Sequence, residues 1–194
     1  MKKSKVPVSA EDTISKVKNL QYDKQVWLYE QSEDKRYRYV IGKRGKNPLI
    51  CIGVNPSTAS PEDLDPTMKT VERIAGRKGY EGYIMLNLYP MRATNPQSMD
   101  KKMDESAASC NLNVIEEILK DGEFDIWAAW GTLIETKQYL KDCLEGIVKI
   151  AEKYGCHWYT IGERTKAGHP HHPLYLRRDV EMEPFDVREY LDGR

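Results

Sequence analysis

Four continuous apolar runs punctuate an otherwise polar chain: "LICIGVN" (49–55), "GYIMLNLY" (82–89), "FDIWAAWG" (124–131) and "CHWYTIG" (156–162). Unbroken apolar character is what a strand buried on both faces requires. Between the runs lie segments with helical apolar spacing. Residues 66–80 have Pro near the start and Gly at the end, and 101–122 end on Gly. Residues 133–155 form one long helix or a broken pair, again with a Gly stop. "RYRYVIGKR" (36–44) alternates and predicts a strand with one wet face. A short helical segment near "PFDVREYLD" closes the chain. Strand alternating with helix predicts right-handed parallel crossovers. The expected fold is therefore α/β, a three-layer α/β/α sandwich around a mainly parallel four-stranded central sheet. Residues 1–22 predict an N-terminal arm or edge helix, and 23–194 a single α/β domain.

Composition narrows the function classes. Lys plus Arg and Asp plus Glu number 30 each among 194 residues, so the net charge is zero. That argues against a protein that coats nucleic acid through bulk electrostatics, though not against a local basic patch. The four cysteines, Cys51, Cys110, Cys143 and Cys156, have wide, irregular spacing and no C-x-x-C pair. They read as reduced core or near-core residues of a cytoplasmic protein. The basic N-terminus has no apolar run behind it, so no secretory signal is expected, and no stretch approaches membrane-spanning length.

In a parallel α/β sheet a ligand sits outside the carboxyl ends of the strands. That rule selects four places. "GVNPSTAS" (53–60) supplies Gly53, Asn55, Pro56, Ser57 and Thr58, either as a plain Asn-Pro turn or as small polar groups facing a ligand. Asn87 interrupts an apolar strand. It is either a structural amide tied to a loop or a side chain that reads the edge of a heterocycle, since an amide both donates and accepts. Trp130-Gly131 ends the third run as an aromatic anchor and a tight turn, with Gly131 reaching the pocket through its backbone. "GHPHHPLYL" (168–176) holds three of the four histidines, and prolines fix it as a shaped loop. A metal site built from His169, His171, His172 and Asp65 would make a phosphohydrolase, but no second ligand pair stands out. No cofactor or metal is expected.

The motifs "GVNPSTA", "DPT" (65–67), "NLYPMRATNP" and "GHPHHPLYL" resemble the signature set of a bacterial and phage family, domain of unknown function 1643. The resemblance runs from about Arg36 to Leu176 and implies no activity. A more distant resemblance links Gly53-Val54-Asn55-Pro56, Asn87, Trp130-Gly131 and the histidine loop to the uracil-DNA glycosylase superfamily, in the same order of elements. It implies a glycosylase-like fold and a partner that is a nucleobase, nucleotide or nucleic acid. The reaction, if there is one, would be hydrolysis of an N-glycosidic bond. A non-catalytic base-recognition module is the alternative. In that comparison Asn55 orients a water, Asn87 reads the base, and His169 or His172 donates to the departing base. The loop is one residue longer than the superfamily pattern, so either histidine can take the motif position, and we expect His169. Arg164, Lys166, Arg177 and Arg178 flank the loop as phosphate contacts or as a solvated rim.

Overall fold

A computed structural model describes residues 22–177 and 179–193. Apart from Tyr22, the expected N-terminal arm lies outside them. The described chain is α/β. Its strands are β1 (Trp27–Gln31), β2 (Arg38–Lys43), β3 (Pro48–Gly53), β4 (Gly82–Asn87), β5 (Asp125–Ala128), β6 (His157–Ile161) and β7 (Met182–Pro184). They form one seven-stranded sheet in the order β1-β2-β4-β3-β5-β6-β7. The four apolar runs are its centre, β4-β3-β5-β6, and pair in parallel. β1, β2 and β7 extend that centre through antiparallel pairings.

The expected four-stranded sheet is thus corrected to a mixed sheet of seven. The two strands without a clear pattern, "WLYEQ" and the three-residue "MEP", lie at the edges. An edge strand needs no continuous apolar run, and Pro is tolerated there. The expected wet face of 36–44 is corrected too. β2 lies between β1 and β4, and its residues are buried on both faces as far as Gly42. Gly42 is required there, because a Cβ would stand 2.3 Å from the Tyr83 carbonyl oxygen.

Side chains alternate strictly across the central strands. Ile50, Ile52, Ile84, Leu86, Ile126 and Ala128 face one core; Leu49, Cys51, Tyr83, Met85 and Trp127 face the other. The first core is covered by α2 (Glu105–Leu119), α3 (Tyr139–Lys153) and the short α4 (Val187–Asp192). The second is covered by α1 (Pro66–Arg77), which inserts Met68, Val71, Ile74 and Ala75. Asp65, Asp104 and Asp186 cap α1, α2 and α4 with side-chain acceptors for first-turn N–H groups. The 133–155 segment is a broken pair: a 3-10 turn (Gly131–Thr136) and then α3. Among the described residues no helix is long and apolar enough to cross a membrane.

Candidate functional site

One helix cannot cover a whole sheet face. Where α1 begins, beyond the carboxyl ends of β3 and β4, a cavity of about 350 Å³ remains. That is the small end of the range for small-molecule sites, about 300–1,000 Å³. Gly53, Val54, Asn55 and Ser57 line it from the end of β3, and Asp65, Thr67 and Met68 from the start of α1. Ala93, Thr94, Asn95 and Pro96 line it from the "RATNP" segment, and His172, Leu174 and Tyr175 from the histidine loop. Leu174 and Tyr175 are 47% and 75% exposed, which places an apolar and an aromatic surface at the mouth.

Asn87 lies one layer below the cavity. It is opposite Gly53 in the parallel register and follows Tyr83 and Met85 along the same face of β4. It is fully buried, and neither its Oδ1 nor its Nδ2 has a hydrogen-bond partner. A Cβ at Gly53 would stand 3.2 Å from that Oδ1 and 2.7 Å from the Met85 methyl. Glycine at 53 and a flexible methionine at 85 are therefore what separates the amide from the cavity, and both of them line it. The backbone here is held from the opposite face, where Asn111 Nδ2 donates to the Asn87 carbonyl at 2.9 Å.

Asn55 uses its amide nitrogen to tie loops together, donating to the carbonyls of Pro56 at 3.0 Å and Ala93 at 2.8 Å. That leaves its Oδ1 as the acceptor available on the cavity wall. Asp65 accepts from the Met68 N–H at 2.8 Å with one carboxylate oxygen and from the Ser57 hydroxyl with the other. His172 accepts from the Leu174 N–H at 3.3 Å through Nδ1, which leaves Nε2 to carry the ring proton. Burial pushes its pKa below the ordinary histidine value, opposed by the nearby Asp65 carboxylate. It therefore stands on the cavity wall as a neutral N–H donor.

Arg38 was not a candidate from the sequence. It lines the cavity and is only 2% exposed. Its Nη1 donates to the Ala59 carbonyl at 2.9 Å, and its Nε has no partner. Desolvation and the neighbouring Arg92 lower its pKa to about 10, so it stays protonated at neutral pH. The available signal was an arginine amid "YRYVI", where the residues on both sides are strongly strand-forming.

The remaining candidates fall elsewhere. His169 is fully buried and is not a lining residue. Its Nδ1 lies 2.8 Å from the Tyr190 hydroxyl, which accepts from Trp130 Nε1 at 3.1 Å, and its Nε2 lies 3.1 Å from Glu135. The cavity-facing histidine of the loop is His172. Gly131, with φ +61°, packs under it: a Cβ there would stand 3.3 Å from the His172 Cβ. Pro56 is buried, Thr58 and the half-buried His171 do not line the cavity, and neither do the exposed Arg164, Lys166 and Arg177. Arg164 lies over the Phe185 ring at 5.8 Å, and Arg178 is outside the described residues. Among the described residues no group of three or more His, Cys, Asp or Glu is placed to hold a metal ion. The four cysteines are free thiols, and burial raises Cys51 well above its ordinary pKa.

Fold and site together define a class: an α/β protein with a cavity of about 350 Å³ at the carboxyl ends of parallel strands. The chain belongs to the family described as protein of unknown function (DUF1643), which it matches over residues 38–174. That span contains every lining residue except Tyr175. No curated protein and no solved structure matches the chain.

Proposed function

We propose that the cavity binds the heterocycle of a nucleobase, nucleoside or nucleotide. The observation that carries this is Asn87. A fully buried amide with no partner for either polar atom costs about 1–3 kcal/mol per orphaned group, and such a cost is tolerated where a ligand supplies the bonds. Its donor and acceptor match the paired acceptor and donor on a base edge. Tyr175 at the mouth offers a face on which a ring can stack. A panel of bases, nucleosides and nucleotides screened by thermal shift tests the reading. At least one base should stabilise the wild type, and Asn87→Asp, which replaces the donor by an acceptor, should change which base is preferred. A panel in which no base-containing compound stabilises the protein overturns it.

A second reading, hydrolysis of the N-glycosidic bond, is favoured by His172 and Asp65 both lining the cavity. As that bond breaks, positive charge builds on the sugar and negative charge on the base. Asp65 and Asn55 Oδ1 would hold a water and the sugar cation, and His172 Nε2–H would donate to the departing base. Water supplies the hydroxyl to the sugar carbon, and the base leaves with the bonding pair and gains a proton. A base within a strand would have to be flipped in, and its binding should depend only shallowly on salt, since few cations border the mouth. Release of free base, lost in Asp65→Asn, supports turnover; binding without release leaves a recognition module.

A further inference from the structure

Besides the amide that lies beneath it, the cavity has an incompletely satisfied group on its own wall, and this one is charged. Arg38 is buried with one hydrogen bond from its guanidinium, to a neutral carbonyl. The charges near it are Arg92, of the same sign and the stronger influence, and the Asp65 carboxylate, which offsets it only in part and forms no salt bridge with it. Arg92 is held by neutral acceptors too: the Ser57 carbonyl at 3.1 Å, the Tyr29 hydroxyl at 2.5 Å and Gln31 Oε1 at 3.0 Å. The carboxylate on the cavity wall, Asp65, has both oxygens engaged by Ser57 and Met68. Arg38 thus lines the cavity, with Arg92 close behind it, and neither guanidinium forms a salt bridge to a carboxylate among the described residues. Buried cations are ordinarily paired, because desolvation is otherwise uncompensated.

We propose that Arg38 binds a terminal phosphate of the ligand, which makes the ligand a nucleoside monophosphate rather than a free base or nucleoside. The base half of that assignment rests on the reading of Asn87 above; the anion half rests on Arg38 alone. The planar guanidinium fork suits the two-oxygen edge of a phosphate. A cation buried in a cavity of about 350 Å³ is reached by a terminal monoester and not by a phosphate flanked on both sides by chain.

The test is calorimetric titration of the full chain with the common nucleoside monophosphates, their nucleosides, inorganic phosphate and acetate. A monophosphate should bind about 10- to 100-fold tighter than its nucleoside, the scale of one charge-assisted hydrogen-bonded contact. Arg38→Met should erase that difference and leave nucleoside affinity within about twofold, and Arg38→Lys should restore part of it. If Arg38→Met does not fold, the wild-type comparison of monophosphate with nucleoside decides. Equal affinity for the two overturns the phosphate subsite and leaves base binding intact. Binding of inorganic phosphate with no preference for any nucleoside overturns the base reading and the monophosphate proposal but keeps the anion subsite. Acetate competing as well as phosphate reassigns the subsite to carboxylates and overturns the monophosphate proposal. No binding by any of these probes overturns both readings.

Discussion

The two faces of the sheet are built differently. The face under α2, α3 and α4 is closed. Trp130 packs edge-on to Trp158 with centroids 6.0 Å apart, and against Phe185 at 6.1 Å and Tyr190 at 5.7 Å. Some of the polar atoms on this face are joined, Trp130 Nε1 to Tyr190 and Tyr190 to His169, while Trp158 Nε1 and Asn111 Oδ1 have no partner. The face under α1 is left open at one end, and there the chain keeps a buried amide and a buried guanidinium incompletely satisfied. The histidine loop joins the two regions. Three residues apart, His169 belongs to the closed face and His172 to the open one.

The sharpest way to break this contrast is to mutate both sides. Trp130→Ala should cost about 3–5 kcal/mol in urea unfolding, as expected for a large aromatic removed from a dense core. A loss below about 1 kcal/mol would mean that the closed face is not what holds the domain together.

Next comes the histidine pair. His169→Ala removes a bonded partner of Tyr190 and should cost about 1–3 kcal/mol. His172→Ala should stay within about 0.5 kcal/mol while weakening ligand binding. The reverse order of stabilities would exchange the two assignments.

Asn87→Leu sharpens the comparison from the other side. It replaces an unsatisfied buried amide by an apolar group of similar shape. It should raise stability by about 1 kcal/mol, where the same substitution at a satisfied core amide would lower it. A destabilised variant would show that Asn87 is bonded in the free protein.

The smallest expected effect is on pH. His172 has its folded pKa below the ordinary 6.5, so above that value it is neutral in both states and costs nothing. As pH falls from 6.5 through the lowered folded pKa, the unfolded chain takes the proton first and stability declines. Unfolding midpoints followed from neutral to about pH 5 should fall less in His172→Gln than in the wild type. A wild type and variant that fall in parallel would remove His172 from the pH response.

Much of this was legible in the chain. The four apolar runs are the parallel centre because strands covered on both faces leave few polar positions. Of the places named at the ends of the first two runs, Gly53, Asn55 and Ser57 line the cavity and Asn87 lies beneath it, as strand polarity leads one to expect. β1 and β7 were not legible: "WLYEQ" becomes a strand by pairing with β2, and "MEP" by pairing with β6. Arg38 sits in an alternating segment whose polar positions read as solvent-facing, and only the arrangement of the sheet shows otherwise. The roles of His169 and His172 could not be separated from the loop itself. What separates them is Tyr190, 21 residues along the chain, and Glu135, contributed by a different turn.

The central claim is that the open face is a base-binding site read by Asn87, which lies beneath Gly53 and Met85. Calorimetric titration of the base-containing ligand that most stabilises the wild type, into wild type and Asn87→Leu side by side, tests it most directly. Wild type should bind, and the variant should lose at least about tenfold in affinity, equivalent to 1.4 kcal/mol, while unfolding at the same or a higher temperature. Equal affinity in the two proteins, with the variant folded, would contradict the account.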